Sequence, residues 1–199
     1  YLKLTPSVTM RFRPNDFRDN RKQAIQFRQI IVDREKSIFD FERTENYTVF
    51  NAKYFNTKTE VTNHFNFNTD LQLSGKFGKL AAEFEYRKLF DSNRQINFRL
   101  FAGTFIYNKT DTDFFSFALD RPTDYLFDYG YLGRSESTGI YSQQYIIAEG
   151  GFKSKLANPF ANQWMTTLNA SASIWNWIEA YGDVGFLKDH SNNPEFVYD

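Results

Sequence analysis

Residues 61–77 read VTNHFNFNTDLQLSGKF, and every even position among them is polar: Thr62, His64, Asn66, Asn68, Asp70, Gln72, Ser74 and Lys76. The odd positions include Val61, Phe65, Phe67, Leu71, Leu73 and Phe77. Successive side chains of a strand point to opposite faces, so this run makes a strand with one wet face and one mostly apolar face. A helix would scatter the same residues around its axis. A mean globular strand has about 5–6 residues and a tilted membrane-spanning strand needs about 9–11, and the run exceeds both.

The pattern continues outward. Gly78-Lys79 is the expected reversal, after which Leu80, Ala82, Phe84 and Tyr86 oppose Glu83, Glu85 and Arg87. A turn at Asp91-Ser92-Asn93 leads to Ile96, Phe98, Leu100, Ala102 and Ile106 opposing Asn97 and Arg99. Three strands joined by short turns read as an antiparallel meander. Upstream, Val8, Met10 and Phe12 alternate with Ser7, Thr9, Arg11 and Arg13, and Phe50, Ala52 and Tyr54 alternate with Asn51 and Lys53. Residues 22–33 form a further strand whose alternation blurs at Ile30-Ile31-Val32. Downstream, three more strands are expected. Ile146, Ala148 and Phe152 alternate with Glu149 and Lys153; Leu168, Ala170, Ala172 and Ile174 with Thr167, Asn169, Ser171 and Ser173; and Ile178, Ala180, Val184 and Phe186 with Glu179 and Asp183. That makes about nine strands.

Trp164 stands at one end of the strand that runs to Trp175, with Trp177 just beyond. Eleven steps at about 3.3 Å span roughly 36 Å, or about 25 Å when tilted by about 45°, which is the height of the apolar band on a membrane barrel. Tryptophan at both rims fits an aromatic girdle. Composition agrees. Aromatics make up 19% of the chain, with 23 Phe and 12 Tyr, yet mean hydropathy is −0.58. Lipid-facing apolar residues alternating with polar ones reconcile the two values, and no run of about 18 apolar residues offers a transmembrane helix. The 24 basic and 24 acidic residues cancel, which argues against a nucleic-acid partner. With no cysteine there is neither a disulfide nor a thiolate metal site. No signal peptide opens the chain, and bacterial single-chain barrels have an even strand number, so an incomplete barrel fragment is expected.

Chemistry is sparse. The two histidines, His64 and His190, lie far apart without metal-ligand spacing; HExxH, a phosphate loop and Gly-x-Ser-x-Gly are all absent. Glu83, Glu85, Glu149, Glu179 and Asp183 are read as facing Arg11, Lys53, Arg87, Arg99 and Lys153 across a polar lumen rather than as catalytic pairs. Residues 108–140 form one long irregular segment that interleaves Asp111, Asp113, Asp120, Asp124 and Asp128 with Phe114, Phe115, Phe117, Tyr125, Phe127, Tyr129 and Tyr131. So aromatic a loop should fold onto something, capping the barrel or docking a partner; its aspartates lack the spacing of a known Ca²⁺ loop. Strand parity places it on the same side as the turns at Gly78 and Asn176. No catalytic, cofactor-binding or metal-binding residue is assigned.

Three segments carry a resemblance. They are Tyr86-Arg87-Lys88-Leu89-Phe90-Asp91-Ser92-Asn93-Arg94-Gln95, Phe117-Ala118-Leu119-Asp120-Arg121-Pro122-Thr123-Asp124-Tyr125-Leu126, and Trp175-Asn176-Trp177-Ile178-Glu179 followed by Tyr181-Gly182-Asp183-Val184-Gly185. From about Thr44 onward the chain resembles the C-terminal region of large Bacteroidota proteins of the M1-like, or gluzincin, metallopeptidase kind. The resemblance implies a C-terminal outer-membrane barrel behind a zinc peptidase-like domain, whose zinc ligands and catalytic glutamate have no counterpart among these residues. The expectation is therefore an all-β, antiparallel transmembrane β-barrel of long meandering strands over residues 1–199. It would sit in the bacterial outer membrane, touch lipid and other outer-membrane proteins, and anchor a metallopeptidase-like parent while catalysing nothing itself. A stand-alone channel or transporter barrel and a soluble carbohydrate-binding β-sandwich are the alternatives; the sandwich requires short strands closing into two sheets.

Overall fold

The structure, a computed structural model, describes residues 2–12, 19–33, 46–90, 94–110, 112–121, 123–128, 148–175, 178–190 and 193–199. The strands are β1 (Leu2–Leu4), β2 (Ser7–Phe12), β3 (Arg21–Asp33), β4 (Tyr47–Thr59), β5 (Asn63–Ser74), β6 (Phe77–Leu89), β7 (Gln95–Asn108), β8 (Phe117–Ala118), β9 (Phe160–Ala161), β10 (Trp164–Trp175), β11 (Ile178–Lys188) and β12 (Glu195–Tyr198). A single 3-10 turn, Asp113–Phe115, precedes β8. The fold is an all-β antiparallel meander. Ten of the strands make one sheet in the order β1-β3-β4-β5-β6-β7-β10-β11-β12, with β2 also on β3, and the sheet does not close on itself. β8 and β9 pair separately. From β3 to β7 each long strand has 12 to 14 residues, in place of the short strands that a two-sheet sandwich requires.

β1 and β2 lie end to end along β3, interrupted at Thr5-Pro6. Proline has no N–H to give a ladder and is confined to edges and breaks. Its carbonyl still accepts from the Gln29 N–H at 3.0 Å, so pairing resumes at once.

Register gives the sheet two unlike faces. Across four strands Phe67, Phe84, Leu100 and Leu168 stand in one row, and Leu71, Leu80, Thr104 and Trp164 in another. On this outward face large apolar side chains remain exposed, including Val8, Met10, Phe98, Leu100, Ile106, Ile174 and Phe186. The opposite, covered face carries Arg28, Asn51, Lys53, Asp70, Gln72, Lys79, Glu83 and Arg99, with residues 112–121, 123–128 and 148–161 packed over it as a plug.

The plug sits toward the end of the sheet that carries the Gly75-Lys76 turn. There the covered face becomes apolar. Ile30, Val32, Tyr47, Val49 and Phe77 pack against Phe115, Tyr125 and Leu126. Beside them Phe101, Met165 and Leu187 pack against Phe117, Leu119, Phe152 and Ala161. At about 1.5–3 kcal/mol for each large apolar side chain fully buried, this core holds the plug in place. It also explains the blurred alternation at Ile30-Ile31-Val32: Ile30 and Val32 lie under the plug, whereas Ile31 faces outward.

Four sequence expectations are corrected. The chain reverses at Gly75-Lys76, not Gly78-Lys79, because Phe77 already pairs with Asn108 and Lys79 lies inside β6. Val61 and Thr62 belong to the β4–β5 turn, where Val61 is 95% exposed, so β5 is a 12-residue strand and not a 17-residue one. Residues 148–153 form turns rather than a strand, and Gly150-Gly151 sits in the plug. Removing that strand shifts the parity, so the β10–β11 connection lies at the opposite end from the plug. β12, which sequence reading passed over, adds the last edge. Arg13, the 91–93 turn, Asp111, Tyr129, Tyr131, Ile146, Asn176 and Trp177 lie outside the described residues.

Gly150 marks the closest approach within the plug. A Cβ there would meet the backbone Cα of Leu119 at 2.6 Å. Gly150→Ala is therefore expected to lower stability by about 1–3 kcal/mol, read as a shift in the urea unfolding midpoint, because backbone rather than a movable side chain must yield.

Candidate functional site

The polar half of the covered face and the plug meet in two linked networks. The first starts and ends on the plug. Arg28 on β3 grips Asp128 through both guanidinium Nη atoms, and Lys53 on β4 reaches the same carboxylate at 3.0 Å. The Arg28 Nε donates to Asn51 Oδ1 at 2.6 Å, and Asn51 in turn donates to Asp70. Gln72 Nε2 donates to Asp70 Oδ2 at 3.0 Å, and the Tyr125 hydroxyl donates to Gln72 Oε1 at 2.5 Å. The Lys79 ammonium closes the series, donating to the Tyr125 hydroxyl at 3.0 Å and to the Phe115 carbonyl at 2.9 Å.

Lys79 is 1% exposed. Burying an ammonium is costly unless it is fully paired. Here its Nζ lies 4.1 Å from the Phe117 ring centroid, 5.1 Å from that of Tyr125 and 5.3 Å from that of Phe105. Glu149 Oε1 stands 3.7 Å away and supplies the opposite charge. Cation–π contacts strengthen when desolvated, so the aromatic plug and the lysine stabilise each other.

Glu149 joins the second network, centred on Arg99. Arg99 Nε pairs with Glu83, with Glu85 at 3.8 Å; Nη1 donates to Asn169 Oδ1 at 3.0 Å and Nη2 to the Glu149 carbonyl at 2.8 Å. Asn169 donates to Asp183 Oδ1 at 2.9 Å and to the Gly150 carbonyl at 3.2 Å. Glu149 Oε2 accepts the Ala118 N–H at 2.9 Å. Two cavities flank this hub. One of about 340 Å³ lies toward Lys53, Asp70 and Asp128; the other, about 350 Å³, lies toward His64, Arg87 and Lys153. Glu85 and Arg99 line both.

The sequence-singled residues are thus mostly on the covered face, though not as one cluster. Glu83, Glu85 and Arg99 meet. Glu179 instead accepts from Ser171 at 2.7 Å and Asn97 at 3.2 Å, and Lys153 lies 3.7 Å over the Tyr181 ring. Arg11 faces the same side from the edge strand β2, and Arg87 lines the second cavity. His64 meets Thr59 at 3.0 Å; His190, at the plug end, meets Gln163 at 2.8 Å. Asp120 and Asp124 cap plug backbone: Asp120 accepts from Leu156 N–H at 2.7 Å, Asp124 from Asp128 N–H at 2.8 Å. Among the described residues no three His, Asp or Glu side chains are grouped so as to hold a metal. Every carboxylate of the two networks is held by a cation or an amide, so the arrangement does the work of a latch between plug and sheet. Lys79, Asp70, Arg28 and Tyr125 escaped sequence reading as members of it. The sequence expectation places Lys79 in the chain reversal, outside either strand.

No family model, curated protein or solved structure matches this chain.

Two outcomes follow. Lys79→Met keeps the side-chain volume but strands the Phe115 carbonyl, the Tyr125 hydroxyl and Glu149, and should cost about 3–5 kcal/mol by urea unfolding. Burial opposes ionisation of Asp128, but the hydrogen bonds and positive charge of Arg28 and Lys53 outweigh it and hold the carboxyl below its ordinary value. A depressed carboxyl stabilises the fold fully above its unfolded pKa, about 3.9, and loses that contribution as pH falls through the lower folded value. The stability gap between wild type and Asp128→Asn should therefore stay constant from about pH 7 down to 5 and close below about pH 4 in a urea series.

Proposed function

We propose that residues 1–199 are the membrane-embedded scaffold of a bacterial outer-membrane β-barrel that anchors a larger metallopeptidase-like protein and neighbours other outer-membrane proteins. The outward face carries the reading. Along β7 the residues Ile96, Phe98, Leu100, Ala102 and Thr104 share the outward face by register, and Ile106, the extra residue at the β6–β7 bulge, is exposed beyond them. Ten steps of about 3.3–3.4 Å, tilted by about 45°, give roughly 24 Å, close to the apolar band of about 25 Å on such barrels. An aqueous protein rarely leaves so broad an apolar face uncovered. Trp164 and the 65%-exposed Trp175 stand at the two ends of β10, where a membrane interface would hold them.

Scaffold is favoured over channel because the plug fills the plug end of the covered face and its charges neutralise one another in place. The metallopeptidase-like parent rests on the resemblance of the 86–95, 117–126 and 175–185 segments; an HExxH with a downstream glutamate in the full-length polypeptide is the observation that tests it.

The membrane reading has a direct test. Leu100 is 44% exposed at the middle of the β7 row. In lipid, arginine at the midplane costs about 2–4 kcal/mol. In water a surface substitution of this kind stays within about 0.5 kcal/mol. Leu100→Arg should therefore destabilise the chain refolded into phospholipid vesicles by the larger amount, read from urea midpoints. A change within about 0.5 kcal/mol would refute the membrane reading.

A further inference from the structure

Among the described residues the outward face carries charge only at its two ends. Its charged strand residues are Arg21, Lys58 and Lys88 at the end away from the plug, and Asp33 and Lys188 at the plug end. The first group holds an anomaly. Arg21 and Lys58 are direct cross-strand partners, and like charges placed opposite one another destabilise a sheet. Arg21 Nε donates to Asn56 Oδ1 at 3.0 Å, and Lys58 Nζ lies 2.8 Å from Glu60 Oε1. Lys88 stands two strands away on the same face, its Nζ 5.2 Å from the Phe90 ring centroid. Among the described residues the acids at this end, Asp19 and Glu60, lie beyond the strand ends: Asp19 accepts the Arg21 backbone N–H at 3.0 Å, and Glu60 belongs to the β4–β5 turn.

Position gives the cations a purpose. Arg21 and Lys58 share a row with Phe65, Tyr86 and Phe98, so they stand at the margin where the apolar face stops. Long basic side chains at such a margin keep their stems on apolar surface and their heads at the headgroup level. The layering is apolar rings, then cations, then acids one step further out. A headgroup of net negative charge at the cation layer would relieve the Arg21–Lys58 repulsion more than a zwitterionic one, whose ammonium offsets its phosphate, and a cationic headgroup would add to it.

On the membrane reading above, we infer that Arg21 and Lys58, with Lys88 beside them, bind the phosphate of an anionic lipid headgroup and mark this rim as the one facing an anionic lipid layer. The ligand is membrane lipid rather than free phosphate, because the cations border the apolar face and not a closed pocket. Attraction of a basic side chain to an anionic surface corresponds to roughly fivefold in binding.

The test refolds the full chain, and separately Arg21→Gln/Lys58→Gln, into three vesicle preparations. These are phosphatidylcholine, phosphatidylcholine with about one-third phosphatidylglycerol, and phosphatidylcholine in phosphate buffer at matched ionic strength. The urea midpoint is read by tryptophan fluorescence. Wild type should gain stability in the anionic vesicles only. The double variant, which loses the Arg21–Lys58 repulsion and the Lys58–Glu60 pair together, should lie close to wild type in pure phosphatidylcholine and should lose the anionic gain. Equal midpoints for wild type in all three preparations, a gain from buffer phosphate, or an anionic gain retained by the variant would each overturn the inference while leaving the membrane reading intact. Failure of wild type to enter any vesicle would overturn the membrane reading and this inference with it.

Discussion

A buried ammonium ties the two layers of this molecule together. Lys79 projects from the middle of the sheet into the only surroundings that can accept it: a carbonyl, a phenol, three aromatic rings and a carboxylate, most of them supplied by the plug. Without the plug the lysine would face the open side of the sheet in water. With the plug in place it must be paired, and the pairing fixes where Phe115, Phe117, Tyr125 and Glu149 sit. The aromatic segment gains a definite seat that hydrophobic contact alone would not define, because apolar packing is non-directional.

The remaining polar contacts extend that registration. Tyr125 passes the hydrogen-bond series from Lys79 to Gln72, Asp70, Asn51 and Arg28, and Asp128 returns it to the plug. Arg99 does the same on the other side, binding plug carbonyl and sheet carboxylates at once. A half-paired group in a low-dielectric setting costs more than its partner returned, and of the groups named in these two networks Asp183 alone keeps a buried oxygen, Oδ2, without a hydrogen-bond partner. The outcome is a sheet with divided labour: one face spent on specific polar seating and a local apolar core, the other left broadly apolar with charge confined to its margins.

The proposed function rests on that division. Every ionised group of the covered face that sequence analysis flagged as a conceivable acid or base is engaged in holding strands or plug. The outward face, by contrast, is broadly apolar, with the charges of its described strand residues confined to its margins. The scaffold reading and the headgroup reading both draw on that face, and they separate experimentally because one concerns its centre and the other its rim.

The sequence by itself determined the two-faced strands. Alternation at 63–74, 80–87, 96–106 and 167–174 needs only local stereochemistry, because a strand puts neighbours on opposite sides whatever lies beyond it. The order of β4 to β7 follows for the same reason, since short polar breaks permit little else, whereas only the tertiary structure sets β10 beside β7. Tertiary structure alone decided three further things. Ile30 and Val32 broke the pattern because a distant segment covers them, which no local window contains. Residues 148–153 alternate like a strand, yet Gly150 passes within touching distance of Leu119 and the segment became plug. Lys79 changed from a supposed turn residue to the most buried cation of the structure once a three-residue shift of the reversal was set by pairing with β7. Each depended on contacts between residues some thirty or more positions apart, and periodicity carries no information at that range.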